Sequence, residues 1–127
     1  MVNNNIIVIN RGDTYEFDLT IADDSSETGR YILREDDAIY FGLMDPGQPF
    51  EFALVKKKFT VENTDAAGNL TIVIEPEDTL DLLPGKYYYA VKLHLNHAEY
   101  NSETNEFIKQ IDKVTTVINK TKFIICD

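Results

Sequence analysis

Leu82-Leu83-Pro84-Gly85-Lys86-Tyr87-Tyr88-Tyr89-Ala90-Val91-Lys92-Leu93-His94-Leu95 decides the fold class. Pro84-Gly85 is a turn signal, and regular structure restarts behind it. From Lys86 onward the residues sort by parity. Tyr87, Tyr89, Val91, Leu93 and Leu95 share one face, and Tyr88, Ala90, Lys92 and His94 share the other. A period of two marks a β-strand with one face turned to a core.

The same alternation recurs on both sides of this stretch. Tyr15, Phe17, Leu19 and Ile21 alternate with Glu16, Asp18 and Thr20, and Leu70, Ile72 and Ile74 alternate with Thr71, Val73 and Glu75. Ile6 to Ile9 reads as an opening edge strand, Ala22 to Arg30 as a loop, and Tyr31-Ile32-Leu33 as a short strand. Ala38 to Met44 is apolar enough for an inner strand, and Asp45-Pro46-Gly47-Gln48-Pro49 ends it. Phe50, Phe52, Leu54, Phe59 and Val61 read as the next β stretch, crossed by Lys56-Lys57-Lys58. Thr64 to Asn69 suits a hairpin turn. Glu75 to Gly85 is a connection holding one helical turn near Asp78 to Leu82, capped by Thr79 or Asp78. Asn96 to Asn105 reads as a polar loop, and alternation returns through Ile108, Ile111, Val114, Val117, Ile118, Phe123 and Ile125. The expectation is an all-β chain of about seven to nine short strands in an antiparallel sandwich or barrel.

The 127 residues suit one domain spanning 1–127. Asp and Glu number 22 against 12 Lys and Arg, a net charge of −10, which works against binding phosphate backbones or anionic lipid. No apolar stretch approaches the ~20 residues of a membrane-spanning helix. Cys126 is the one cysteine, so no intrachain disulfide forms. Met1 to Asn5 lacks a basic leader region and Ile6 to Ile9 is too short for a signal core, so synthesis in the cytoplasm is expected.

Candidate sites are sparse. Arg11-Gly12-Asp13 matches an adhesion tripeptide but suits a plain turn. His94 and His97, three apart on a strand, do not converge on a metal, and read as solvated. Asp23-Asp24, Asp36-Asp37 and the group Glu75, Glu77, Asp78 and Asp81 read as solvated charge, with Ca²⁺ binding the sharper alternative. Ser25, Ser26 and Ser102 lack a nucleophile-elbow context, and Cys126 lacks a neighbouring His or Lys. No phosphate-binding or dinucleotide fingerprint occurs. Lys56-Lys57-Lys58 reads as a charged guard on a sheet edge, or as the complement of an acidic neighbour. No catalytic, cofactor-binding or metal residues are therefore assigned. An enzyme is not expected.

Leu82, Pro84, Gly85 and a following Tyr resemble the tyrosine corner of immunoglobulin-like and fibronectin-type sandwiches, where a hydroxyl bonds back to the chain. Parity favours Tyr87 or Tyr89 as the inward ring, and fibronectin-type spacing favours Tyr88. Parity is taken, because an inward Tyr88 would turn Val91, Leu93 and Leu95 outward. The wider order also resembles the immunoglobulin-like N-terminal domain of phage baseplate upper proteins and related small phage and prophage structural proteins of Gram-positive bacteria. The matching runs are Gly12 to Leu19, Ala38 to Met44, Ala67 to Ile72, Pro84 to Tyr89, Val114 to Ile118 and Thr121 to Ile125. Baseplate upper proteins usually continue into a trimerising or receptor-binding region, whereas this sequence stops at Asp127. The resemblance implies a non-catalytic part of a virion (baseplate, tail, neck or head decoration) that meets other virion proteins. A weak homo-oligomer is the added expectation, through the edge segments Asn5–Ile9 and Lys122–Cys126 and strengthened by salt. The alternative is a carbohydrate-binding module stacking sugars on Tyr40, Tyr88 or Tyr100.

Overall fold

Ala38–Met44 is apolar on both parities, and it occupies the interior of the main sheet. In the computed structural model, which describes residues 6–22, 29–101 and 103–127, the strands are β1 (Ile7–Asn10), β2 (Tyr15–Leu19), β3 (Ile21–Ala22), β4 (Arg30–Tyr31), β5 (Ala38–Met44), β6 (Val55–Thr60), β7 (Leu70–Ile74), β8 (Gly85–Tyr100) and β9 (Phe107–Cys126). One short helix, α1 (Pro76–Leu80), joins β7 to β8. The chain is all-β.

The main sheet runs in the order β1-β9-β8-β5-β6. β5, β6, β8 and β9 pair antiparallel, as expected, but β1 lies parallel to β9, with Ile7 opposite Phe123 and Ile9 opposite Ile125. The sheet is therefore mixed. Parallel pairing puts Ile7 and Ile9 beside Phe123 and Ile125, and all four side chains are buried. Antiparallel β2 and β7, with the short pair β3 and β4, make a second layer.

The two layers share one core. Phe41, Tyr89 and Phe123 form its centre, with ring centroids 5.8–6.5 Å apart, and Phe17 of the second layer meets Tyr89 at 6.2 Å. Ile72 and Ile74 of β7 close the core from the other side. Offset and edge-on rings at these separations add about 0.5–1.5 kcal/mol per pair beyond their buried area.

The corner after Pro84 takes the form parity implied. The Tyr87 hydroxyl donates to the Leu83 carbonyl at 2.6 Å, and Tyr87 and Tyr89 are both buried. Tyr88 faces the other way, opposite Met44 and Lys122.

Further expectations are corrected. Lys122–Cys126 is not an edge segment, because this part of β9 lies between β1 and β8. The strand expected over Tyr15 to Ile21 breaks at Thr20, and the short strand near Tyr31 begins at Arg30. Phe50 to Phe52 is not strand but a 3₁₀ turn set by Pro49, with the Phe52 and Ala53 amides bonding back to Pro49 and Phe50 at 3.1 Å. This turn lays the Phe50 ring on Gly42, where a Cβ would stand 2.5 Å from the ring. The helical turn begins before Asp78. Pro76 fits its first position, and the Asp78 carboxylate accepts the Glu75 amide at 2.8 Å from inside the turn. Thr79 caps nothing there, since its buried hydroxyl accepts the Gly12 amide at 2.9 Å. Finally, Asn96 to Tyr100 are not loop, because they continue β8 and pair with Phe107 to Asp112.

Candidate functional site

The extension of β8 brings four donors onto one buried carboxylate. Asp37, expected as solvated charge, is buried, with its side chain wholly withdrawn from solvent. One carboxylate oxygen accepts the Asn96 amide at 2.9 Å and His97 Nδ1 at 2.8 Å. The other accepts the Tyr31 hydroxyl and the Arg34 amide, the latter at 3.2 Å. Burial pushes the carboxyl up, but the bonds from Tyr31, His97, Asn96 and Arg34 outweigh it and hold the group below the ordinary aspartate value of 3.8. The node ties the turn before β5 to the middle of β8.

His97 is likewise not solvated. It continues the inward parity of Leu93 and Leu95, so its ring turns onto Asp37, with Nε2 4.0 Å from Glu99. His94 lies on the opposite face beside Asp112 at 3.4 Å, so the two histidines do not converge. The sequence signal for His97 was its parity, which the polarity of Asn96 to Asn105 obscured.

Beyond the pair His94–Val114, β8 and β9 leave β5 behind and project as a two-stranded arm. The arm exposes Tyr100, Phe107 and Ile108, and Val114 is exposed at its root, each more than half accessible. Tyr100 and Phe107 pack edge-to-face at 6.0 Å near its tip. Beneath the arm lies an open cleft of about 460 Å³ lined in part by Ile21, Tyr31, Leu95, His97 and Ile111.

The outer face of the main sheet carries a second kind of surface. Lys56 and Lys92 place their ammonium groups 5.9 and 5.1 Å from the Phe50 ring centroid, and Lys58 lies 6.0 Å from that of Tyr40. Lys122 stands opposite Tyr88, and Lys120 rims a hollow of about 310 Å³ with Phe50 and Lys92. Among the described residues none of these five lysines enters an ion pair. Lys57 alternates to the other side of β6, where it meets Asp78 at 2.6 Å. β6 is a sheet edge, so both readings of the lysine run hold in part.

The remaining expected sites fall as follows. In Arg11-Gly12-Asp13 the Arg11 guanidinium pairs with Asp127 at 3.1 Å, and Gly12 sits at φ +83° in a turn. Asp23-Asp24, Ser25, Ser26 and Ser102 lie outside the described residues. Among the described residues no three His, Cys, Asp or Glu side chains converge as metal ligands, and no helix is long and apolar enough to cross a membrane. Tyr40 and Tyr88 share the outer face, but Tyr100 stands twelve residues along β8 from Tyr88, about 40 Å at strand spacing, so the three form no single platform. Comparison with known proteins finds no matching family model, curated protein or solved structure.

Proposed function

We propose that the chain is an immunoglobulin-like sandwich serving as a non-catalytic structural or assembly component of a phage or prophage-derived particle. It would be made in the bacterial cytoplasm and carried on the virion, where it contacts other virion proteins without nucleic acid or membrane insertion. Three features support the immunoglobulin-like part. β9, β8, β5 and β6 follow one another as the last strands and the inner strands do in a variable-type sheet, β2 pairs with β7 across the core, and Tyr87 ties the corner before β8.

The observation that carries the functional reading is the arm. Exposed Tyr100, Phe107 and Ile108 stand on a hairpin that projects beyond β5, with exposed Val114 at its root. Aromatic and aliphatic side chains held out on a rigid element suit protein–protein contact. The particle assignment rests on the resemblance to phage domains. Its test is the protein content of particles purified from a strain carrying the gene. The chain should be present in them, and the double variant Phe107→Asp/Ile108→Asp should fold yet fail to incorporate. Absence of the wild-type chain from purified particles would overturn the reading. Retention on polysaccharide, lost in Tyr40→Ala or Tyr88→Ala, would replace it with the carbohydrate-binding alternative.

A further inference from the structure

Lys56, Lys57 and Lys58 sort by strand alternation into two opposite environments. Lys56 and Lys58 join Lys92, Lys120 and Lys122 on the outer face, so five of the twelve basic residues gather there in a chain of net charge −10. Lys57 points to the other side of β6, into the carboxylates around α1. Its one ion pair among the described residues is with Asp78. Glu75, Glu77 and Asp81 stay exposed beside it. Glu77, by a side-chain hydrogen bond and by its charge, holds the Glu75 carboxyl above its ordinary range although Lys57 pulls it down, so the carboxylates here outweigh the one lysine that faces them.

Apolar surface accompanies both patches. Phe52 and Leu54 are exposed next to the lysines, and Leu80 and Leu83 are exposed next to the carboxylates. The two surfaces are thus complementary in charge and alike in apolar content, and they lie on opposite sides of one edge strand.

We propose that copies of this chain associate head to tail, the lysine-bearing outer face of one copy seated on the carboxylates and leucines around α1 of the next. The occupant is a second copy because the chain itself supplies both halves, and placing them on opposite sides lets the same contact repeat. Such a contact is heterologous and closes into a ring or runs on as a stack. It also gives a strongly acidic chain a way to self-associate without opposing like charges. This deepens the proposed assembly role, and the two fail separately. Copies that never associate while the chain is found in particles would remove only the stacking.

The test uses two charge-reversed full-length variants, each checked for the wild-type circular dichroism spectrum. Lys56→Glu/Lys58→Glu/Lys92→Glu inverts the outer face, and Glu75→Lys/Glu77→Lys/Asp81→Lys inverts the α1 side, leaving Lys57 and Asp78 intact. Sedimentation equilibrium of the wild type at low salt should show mass rising with concentration and falling back as salt is added. Each variant alone should associate about a hundredfold more weakly or worse, the scale of like-charge juxtaposition at an interface. An equimolar mixture should recover the wild-type mass, because inverted face then meets inverted side. A wild type monomeric at every salt and concentration would overturn the proposal. So would association unaffected by either reversal, association strengthened by salt, or a mixture that fails to recover. A monomeric wild type that binds polyglutamate would assign the face to a foreign acidic partner instead.

Discussion

Replacing Asp37 tests whether the buried node organises the fold. Its carboxylate takes four donors: the Tyr31 hydroxyl, the Arg34 and Asn96 amides and His97 Nδ1. Asp37→Ala removes both acceptor oxygens at once. The Tyr31 hydroxyl, the Asn96 amide and the buried His97 ring then lose this acceptor, and since each buried polar group left unsatisfied costs about 1–3 kcal/mol, a loss of about 3–5 kcal/mol is expected. That is a large share of the ~5–15 kcal/mol that stabilises a domain. Asp37→Asn keeps one oxygen for Asn96 and His97, and Tyr31 can rotate its hydroxyl to accept from the new amide. Only the longer Arg34 contact is orphaned, so about 1–2 kcal/mol is expected. Urea unfolding at neutral pH measures both. The carboxyl sits below its unfolded value, so its contribution is present above about pH 4 and is lost as pH falls through the lower folded value. Wild type and Asp37→Asn should therefore converge in stability in acid. A loss below about 1 kcal/mol for Asp37→Ala, or a gap to Asp37→Asn that widens in acid, would show that the node does not stabilise the fold.

Tyr87→Phe should cost about 1–2 kcal/mol by leaving the Leu83 carbonyl without its 2.6 Å donor, measured as a lower urea midpoint at unchanged slope. Gly42→Ala should cost about 1–3 kcal/mol because the new methyl displaces the Phe50 ring, and the same change made on top of Phe50→Ala should cost nothing or stabilise. Burial, with Tyr15 nearby adding to it, pushes the Tyr89 hydroxyl up to about 12. A phenol whose folded value is raised stabilises the fold below its unfolded value, so stability should be flat up to about pH 10 and fall from there towards 12, a decline that Tyr89→Phe should reduce.

Alternation made most of the β architecture legible. β2, β7 and the proximal half of β8 turn one parity to the core, and the parity of the residues after Pro84 was enough to prefer Tyr87 or Tyr89 to Tyr88 for the corner, with only the hydrogen bond to Leu83 singling out Tyr87. Three features resisted the same reading for separate reasons. Phe50 and Phe52 share the parity of a strand, but Pro49 starts a 3₁₀ turn and the missing side chain of Gly42 gives Phe50 a place to lie. Asn96 to Tyr100 are polar because the arm is wet on its outer side, and hydrogen bonding to β9, not burial, makes them strand. The direction of β1 depends on Phe123 and Ile125, more than a hundred residues away, which no local pattern encodes. The Asp37 node was hidden in the same way, since its four donors come from two separate segments of the chain.

The node and the arm are one mechanical arrangement. β8 and β9 leave the support of β5 after the pair Ala38–His94, and the next residues of β8 to be anchored are Asn96 and His97, both to Asp37. Asp37 immediately precedes β5, so the carboxylate fastens the root of the arm to the strand that has just ended. An unsupported two-stranded hairpin is marginal in water. A buried, ionised anchor at its root, with Ile21 and Tyr31 of the second layer packed nearby, limits how far the arm can pivot. Under the proposed assembly role, side chains at the tip would then meet a partner from a defined direction, at a lower ordering cost of binding. The exposed apolar residues of the arm and the buried charge at its base are thus two parts of one device. Loosening the base should weaken contacts made at the tip even where the tip residues are unchanged.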